Sequence, residues 1–83
     1  MFKITKWCAA ITDSGKDETI AKKPKELNHK FRLLDDDGNI YAYGYSDDSD
    51  SEEAFAPLDY YQGYYGCTEI QYKNPETGIY ETL

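Results

Sequence analysis

The chain has 83 residues and a formal net charge of −7, and 40% of its residues are hydrophobic. This length predicts one domain over residues 1–83, with a small core. The hydrophobic fraction argues against a disordered chain, and the absence of a run of 18 apolar residues argues against a membrane-spanning helix.

Read in chain order, the sequence predicts strands at 2–12, 30–34, 40–45, 67–73 and 79–83, a return strand that could form at 19–22, and a short helix between 54 and 66. Within the first strand the apolar positions change phase, from Phe2 and Ile4 to Trp7. This change indicates a β-bulge near Lys6. The predicted fold class is mainly β (α+β), an antiparallel sheet of about five strands with one short helix.

The clearest predicted unit is the hairpin formed by residues 30–34 and 40–45, because Asp-Gly between two apolar runs is a strong turn signal. Its second strand carries tyrosines on one face and small or aliphatic residues on the other: Tyr41, Tyr43 and Tyr45 against Ile40, Ala42 and Gly44. Either face could pack on the core. Burial of the tyrosine face is favoured, because the small residues would leave a thin core.

The segment after the hairpin is acidic. Residues 46–53 have no apolar periodicity and predict a solvated loop. Pro57 at a first helical position and Gly63 soon after it predict one or two helical turns and no more.

Catalytic, metal and cofactor chemistry find little support in the sequence. His29 is the only histidine, and no nucleophile has a base near it in sequence. The aspartates around Gly38 do not fit the calcium-loop pattern, which fails at both ends. Cys8 and Cys67 are expected to be free and partly buried. We therefore expect no enzyme activity, no metal and no cofactor.

Charge is distributed unevenly along the chain. Residues 1–34 carry eight Lys/Arg against four Asp/Glu, a net of +4, whereas residues 35–83 carry one lysine against twelve acids, a net of −11. All nine tyrosines lie in the acidic part. Carboxylates combined with exposed tyrosines suit a strongly basic partner, and such partners commonly hold nucleic acid. The net negative charge argues against direct binding of nucleic acid or of anionic membranes.

The predicted partner-binding residues are the acids at the two ends of the hairpin and five tyrosines. They are Asp35, Asp36, Asp37, Tyr41, Tyr43, Tyr45, Asp47, Asp48, Asp50, Glu52, Glu53, Tyr60 and Tyr61. A basic strip, consisting of Lys22, Lys23, Lys25, Lys30 and Arg32, either balances these acids across the sheet or makes a separate anionic contact.

The small size, the acidity and the single domain resemble those of phage-encoded inhibitors of the anti-CRISPR and anti-restriction type. Proteins of that class have unrelated folds, so the resemblance bears on function alone. It implies a non-enzymatic inhibitor that binds a CRISPR effector or nuclease as a nucleic-acid mimic. Lysines interrupt the apolar residues at the N-terminus and argue against a secretory signal, so we expect the chain in the cytoplasm, as a monomer or weak homodimer. The alternatives are an immunity or antitoxin protein for a nuclease toxin, and a phage accessory or structural protein that self-associates through its edge strands.

Overall fold

Six strands pair in one antiparallel sheet, and a helical segment packs on one of its faces. The structure is a computed structural model that describes residues 1–83. Its elements are β1 (Phe2–Trp7), β2 (Glu18–Thr19), β3 (His29–Leu34), β4 (Ile40–Ser46), a 3₁₀ turn (Glu52–Phe55), α1 (Ala56–Tyr65), β5 (Glu69–Lys73) and β6 (Tyr80–Thr82). The strand order is β2-β1-β4-β3-β5-β6. The predicted fold class is confirmed, with six strands in place of about five.

The predicted central hairpin forms between β3 and β4. Leu33 lies opposite Ala42, and Phe31 lies opposite Gly44. In the turn, Gly38 adopts a φ of 83°, which glycine reaches without steric cost. The carboxylate of Asp35 accepts hydrogen bonds from the backbone N–H groups of residues 37 and 39, both at 2.9 Å. The Asp-Gly signal in the sequence therefore corresponds to a turn held by its own first aspartate.

The first strand contains the predicted bulge but is shorter than predicted. The pairing of β1 with β4 shifts between Ile4 and Lys6, so that Thr5 is the extra residue. The strand ends at Trp7 instead of residue 12. Beyond it, the backbone N–H of Ile11 donates to the carbonyl of Cys8 at 3.1 Å and closes a turn.

The core lies under the face of β4 that carries its small residues. Ala42 and Gly44 are buried there, whereas Tyr43 and Tyr45 are half-buried on the opposite face. The favoured burial of the tyrosine face was therefore wrong for these two residues. The reason is Phe31, which is fully buried and whose ring lies against Gly44, so the ring fills the space that the small residues leave.

The helix is longer than the one or two turns predicted. It begins at Ala56, with Pro57 in its first turn, runs through Gly63, and ends at Gly66, whose left-handed φ is 74°. Trp7 on β1 explains the extra length. Its ring lies 5.3 Å from that of Tyr61 and 5.2 Å from that of Tyr65. This packing favours continuing the helix past an interior glycine, which by itself costs about 1 kcal/mol.

Candidate partner-binding surface

The three aspartates of the β3–β4 turn are used in different ways. Asp35 organises the turn, and the side-chain amide of Asn39, which donates to it at 3.0 Å, holds its pKa below the usual range. Asp36 accepts a 2.6 Å hydrogen bond from the hydroxyl of Thr68. Asp37 is exposed and makes no side-chain hydrogen bond or ion pair. Only Asp37 thus has a carboxylate that is fully available to a partner.

The acidic segment between β4 and α1 is an ordered loop. The carboxylate of Asp48 accepts hydrogen bonds from the Ser51 hydroxyl and from the backbone N–H groups of residues 50 and 51. These contacts, the Ser51 hydroxyl first, lower the pKa of Asp48 to about 2. The Ser51 oxygen in turn accepts from the N–H of Glu53 and caps the 3₁₀ turn. Asp47 pairs with the N-terminal ammonium at 3.1 Å.

The remaining acids of this loop are exposed and unpaired: Asp50, Glu52 and Glu53. The whole chain forms only two ion pairs, that of Asp47 with the N-terminus and that of Lys6 with Asp17 at 3.2 Å. No lysine or arginine of the chain therefore forms an ion pair with the three free acids. If the chain's own lysines had paired with these acids, the acids would not have been available to a partner.

The tyrosines of α1 divide between core and surface. Tyr61 is half-buried against Phe2 and Trp7, and burial raises its pKa. Tyr60 is 58% exposed and Tyr64 is 72% exposed. The prediction named Tyr60 and Tyr61 and did not name Tyr64. Spacing could have identified it, because residues four apart share one face of a helix. We call the free acids Asp50, Glu52 and Glu53, together with Tyr60 and Tyr64, the acidic–aromatic surface.

The tyrosines of β4 do not join this surface. The hydroxyl of Tyr41 donates to Asp35 at 3.1 Å, and its ring packs against the core. Tyr43 and Tyr45 lie among cations on the face of the sheet opposite the helix, with the Lys30 ammonium 5.4 Å and 6.0 Å from the two ring centres. The thirteen predicted residues therefore do not form one patch.

The basic strip also divides. Lys23, Lys30 and Arg32 lie over tyrosine rings of the sheet, whereas Lys22 and Lys25 are exposed in the loop before β3. The residues of this strip form no ion pair with the hairpin acids. The nearest aromatic contact is that of Arg32, whose guanidinium carbon lies 4.1 Å from the ring centre of Tyr80.

The reactive side chains are buried or isolated. Cys8 and Cys67 are both buried and unbridged, as predicted, and burial raises the pKa of each thiol. No group of three or more His, Cys, Asp or Glu side chains is placed to hold a metal ion. No helix has the length and hydrophobicity needed to cross a membrane.

No family model, curated protein or solved structure matches this chain. What its surfaces can bind therefore has to be inferred from their own chemistry.

Proposed function

We propose that this chain is a non-enzymatic inhibitor that binds the basic, nucleic-acid-binding surface of a partner protein, as an anti-CRISPR or other anti-defence protein would. The observation that carries the proposal is the acidic–aromatic surface. Its carboxylates are exposed and form no ion pair, and they immediately precede a helix that exposes Tyr60 and Tyr64. Tyrosine is among the residues enriched at the energetic centres of protein interfaces. Complementary charge adds fast and specific association.

The acids differ in whether they are already hydrogen-bonded within the chain, and this difference indicates which of them contact the partner. Asp48 already accepts hydrogen bonds from neighbouring N–H and O–H groups and so holds the acidic loop in shape, and Asp35 does the same for the β3–β4 turn. Asp50, Glu52 and Glu53 would meet the lysines and arginines of the partner. The two exposed tyrosines would add apolar contact and stack against guanidinium groups. The acids thus copy the charge of nucleic acid, and the rings take the place of its bases.

Other features of the chain support a binding role without catalysis. Burial raises the pKa of both thiols, which disfavours the nucleophilic thiolate. The edge strands β2 and β6 have only two and three residues. Short edges resist strand addition, which argues against self-association by that route. In the cytoplasm, where the proposal places the chain, the thiols of Cys8 and Cys67 would stay reduced.

The test compares two pairs of acids that carry the same charge at different positions. The site variant is Glu52→Gln with Glu53→Gln. The control is Asp13→Asn with Glu26→Gln, which removes the same charge from exposed loop positions whose side chains make no hydrogen bond or ion pair. Tagged proteins are used to capture partners from lysate at low and moderate salt, and captured proteins are then purified and assayed for nucleic-acid binding.

We expect the wild type and the control to capture a basic nucleic-acid-binding protein and to block its binding to nucleic acid. The site variant should lose most of this inhibition, and so should Tyr64→Ala, a change at an exposed position that should leave the melting temperature unaltered. Equal inhibition by site and control variants would contradict the proposed contact. Capture of a partner whose nucleic-acid binding is undisturbed would contradict the proposed mechanism.

A further inference from the structure

The face of the sheet opposite the helix combines cations and aromatic rings. Tyr45 on β4 lies between Lys3 on β1 and Lys30 on β3, and Tyr43 lies between Lys6 and Arg32. Because side chains alternate along a strand, these residues share one face. On the same face, towards the β6 edge of the sheet, Lys73 on β5 lies opposite Tyr80 on β6. We call these eight residues the basic–aromatic face.

A shallow depression of about 450 Å³ lies on this face. Three lysines and three tyrosines line it: Lys6, Lys30, Lys73, Tyr43, Tyr45 and Tyr80. Two threonines complete the lining, and no carboxylate takes part in it. The depression therefore offers ammonium groups and ring faces together, and an internal anion, Asp17, competes only for Lys6.

The lysines of this face lack strong partners within the chain, whereas Arg32 donates to the side-chain oxygen of Gln71 at 2.7 Å and lies over the ring of Tyr80. Only Lys6 forms an ion pair, with Asp17. The ammonium groups of Lys6 and Lys30 lie 5.5 Å and 5.4 Å from the ring centre of Tyr43, and Lys30 also lies 6.0 Å from that of Tyr45. Cation–π contacts this long at exposed sites are weak. An incoming anion can therefore draw the lysines off the rings and leave the ring faces free.

The net charge of the chain does not decide what this face attracts. None of the acids of the acidic–aromatic surface lines this depression, although Asp50 lies beside Lys73 along a second one. At physiological salt, exposed charges are largely screened beyond about 8 Å. A ligand at the sheet therefore meets a cationic surface, although the whole chain carries −7.

We propose that the basic–aromatic face binds single-stranded nucleic acid, with phosphates on its lysines and bases stacked on Tyr43 and Tyr45. A cationic groove lined with rings is the general arrangement for binding single strands, because unpaired bases can stack on aromatic side chains. A duplex hides its bases and fits the rings poorly. From β1 to β5 the cations span three strand spacings, about 14 Å. This span exceeds the separation of neighbouring phosphates, which is about 3.4 Å along the axis of a stacked strand and larger in an unstacked one, so a strand fits better than one nucleotide.

This inference is independent of the inhibitor proposal, because it rests on different residues. It departs from the expectation drawn from net charge, which argued against direct nucleic-acid contact. A second copy of the chain could offer its acidic–aromatic surface to the same cations, and the test has to distinguish that occupant.

The experiment measures the anisotropy of labelled single-stranded DNA and RNA of about 12 nucleotides, a length that covers one such site. The site variant is Lys30→Gln with Lys73→Gln. The control is Lys22→Gln with Lys25→Gln, which removes the same charge from the exposed loop. Competitors are the same sequence as a duplex, a mononucleotide and polyglutamate. Circular dichroism and melting temperatures establish that each variant is folded.

We expect the site variant to raise the Kd for the single strand by about tenfold and to lower the slope of log Kd against log salt by roughly 1.4, whereas the control changes neither. Tyr45→Leu should weaken binding by about fivefold or more while the response to polyglutamate stays unchanged. Glu52→Gln with Glu53→Gln, which tests the inhibitor proposal, should not weaken strand binding.

Several outcomes would overturn the inference. Equal losses of affinity in the site and control variants would do so, and so would the absence of binding at low salt. Competition by the duplex, by polyglutamate or by a mononucleotide with the same strength as the unlabelled single strand would also do so. Mass that grows with protein concentration on a sizing column, and that Lys30→Gln with Lys73→Gln abolishes, would assign the face to a second copy instead.

Discussion

Gly44 allows the backbone of β1 and the ring of Phe31 to approach β4 closely. A Cβ atom at position 44 would lie 2.4 Å from the carbonyl oxygen of Lys3 and 2.6 Å from Cζ of Phe31. Both distances are far below normal contact, and the carbonyl cannot retreat without disturbing the pairing of β1 with β4. Overpacking of this kind costs about 1 to 3 kcal/mol, and loss of glycine's backbone entropy offsets about 0.5 to 1 kcal/mol. Because the closest contact is to backbone, the cost lies at the upper end of this range, and we expect Gly44→Ala to destabilise the fold by about 2 kcal/mol.

The assay is thermal and urea unfolding with a matched glycine control. A loss of about 2 kcal/mol lowers the melting temperature of a domain this size by about 10 °C. Gly63 lies inside α1, and a Cβ there would meet no heavy atom within 4 Å. Gly63→Ala should therefore stabilise the helix by about 0.5 to 1 kcal/mol. Combining Gly44→Ala with Phe31→Leu removes one of the two clashes and should give a destabilisation smaller than the sum of the single changes.

A wild-type melting temperature for Gly44→Ala would refute the close approach of β1, Phe31 and β4. It would also remove the reason for placing Tyr43 and Tyr45 on the open face of the sheet. Equal destabilisation by Gly44→Ala and Gly63→Ala would show that a general loss of glycine flexibility, and not the clash, is responsible.

Three further predictions concern the core, the acidic loop and the thiols. Tyr72→Phe removes a buried hydroxyl that donates to a carbonyl of the 3₁₀ turn at 2.8 Å, and it should lower the free energy of unfolding in urea by about 1 to 3 kcal/mol. Hydrogen bonds, first that from the Ser51 hydroxyl, lower the pKa of Asp48 in the folded chain to about 2. Its contribution to stability is therefore present above about pH 4 and is lost as the pH falls towards 2. The free energy of unfolding should fall less steeply with acid in Asp48→Asn, and an unchanged acid dependence would contradict this. The buried Cys8 and Cys67 thiols, whose pKa values are raised, should react slowly with a disulfide reagent at neutral pH and rapidly in urea, and fast reaction of the native chain would contradict their burial.

Local signals in the sequence predicted the hairpin and the bulge well. The Asp-Gly turn depends on neighbouring residues alone, and Asp35 with Gly38 supplies its chemistry. The phase change along β1 likewise recorded the extra residue at Thr5. The extent of the helix was harder to predict, because its continuation past Gly63 coincides with packing on Trp7, a residue distant in sequence.

The buried face of β4 could not be read from β4 itself. Its small residues leave space beneath the strand, and whether a large ring fills that space depends on the neighbouring strand β3, which supplies Phe31. The prediction of the partner-binding residues was limited for the same reason, because it depended on contacts made only in the folded chain. The sequence counts Asp48 and Asp50 as equal acids, but one organises a loop and the other remains exposed, and this difference depends on hydrogen bonds that appear only on folding.

The order of the strands explains how a charge split along the chain becomes two surfaces. β4 is the first strand of the acidic part of the sequence, yet it pairs with β1 and β3, which come from the basic part. Alternation along those two strands places their lysines on the same face as Tyr43 and Tyr45. The acids, in contrast, concentrate in the turn and loop that flank β4, beyond the ends of the strand. A sheet with β4 at its edge would have left these tyrosines beside their acidic neighbours in sequence, so the central position of β4 separates the basic–aromatic face from the acidic–aromatic surface.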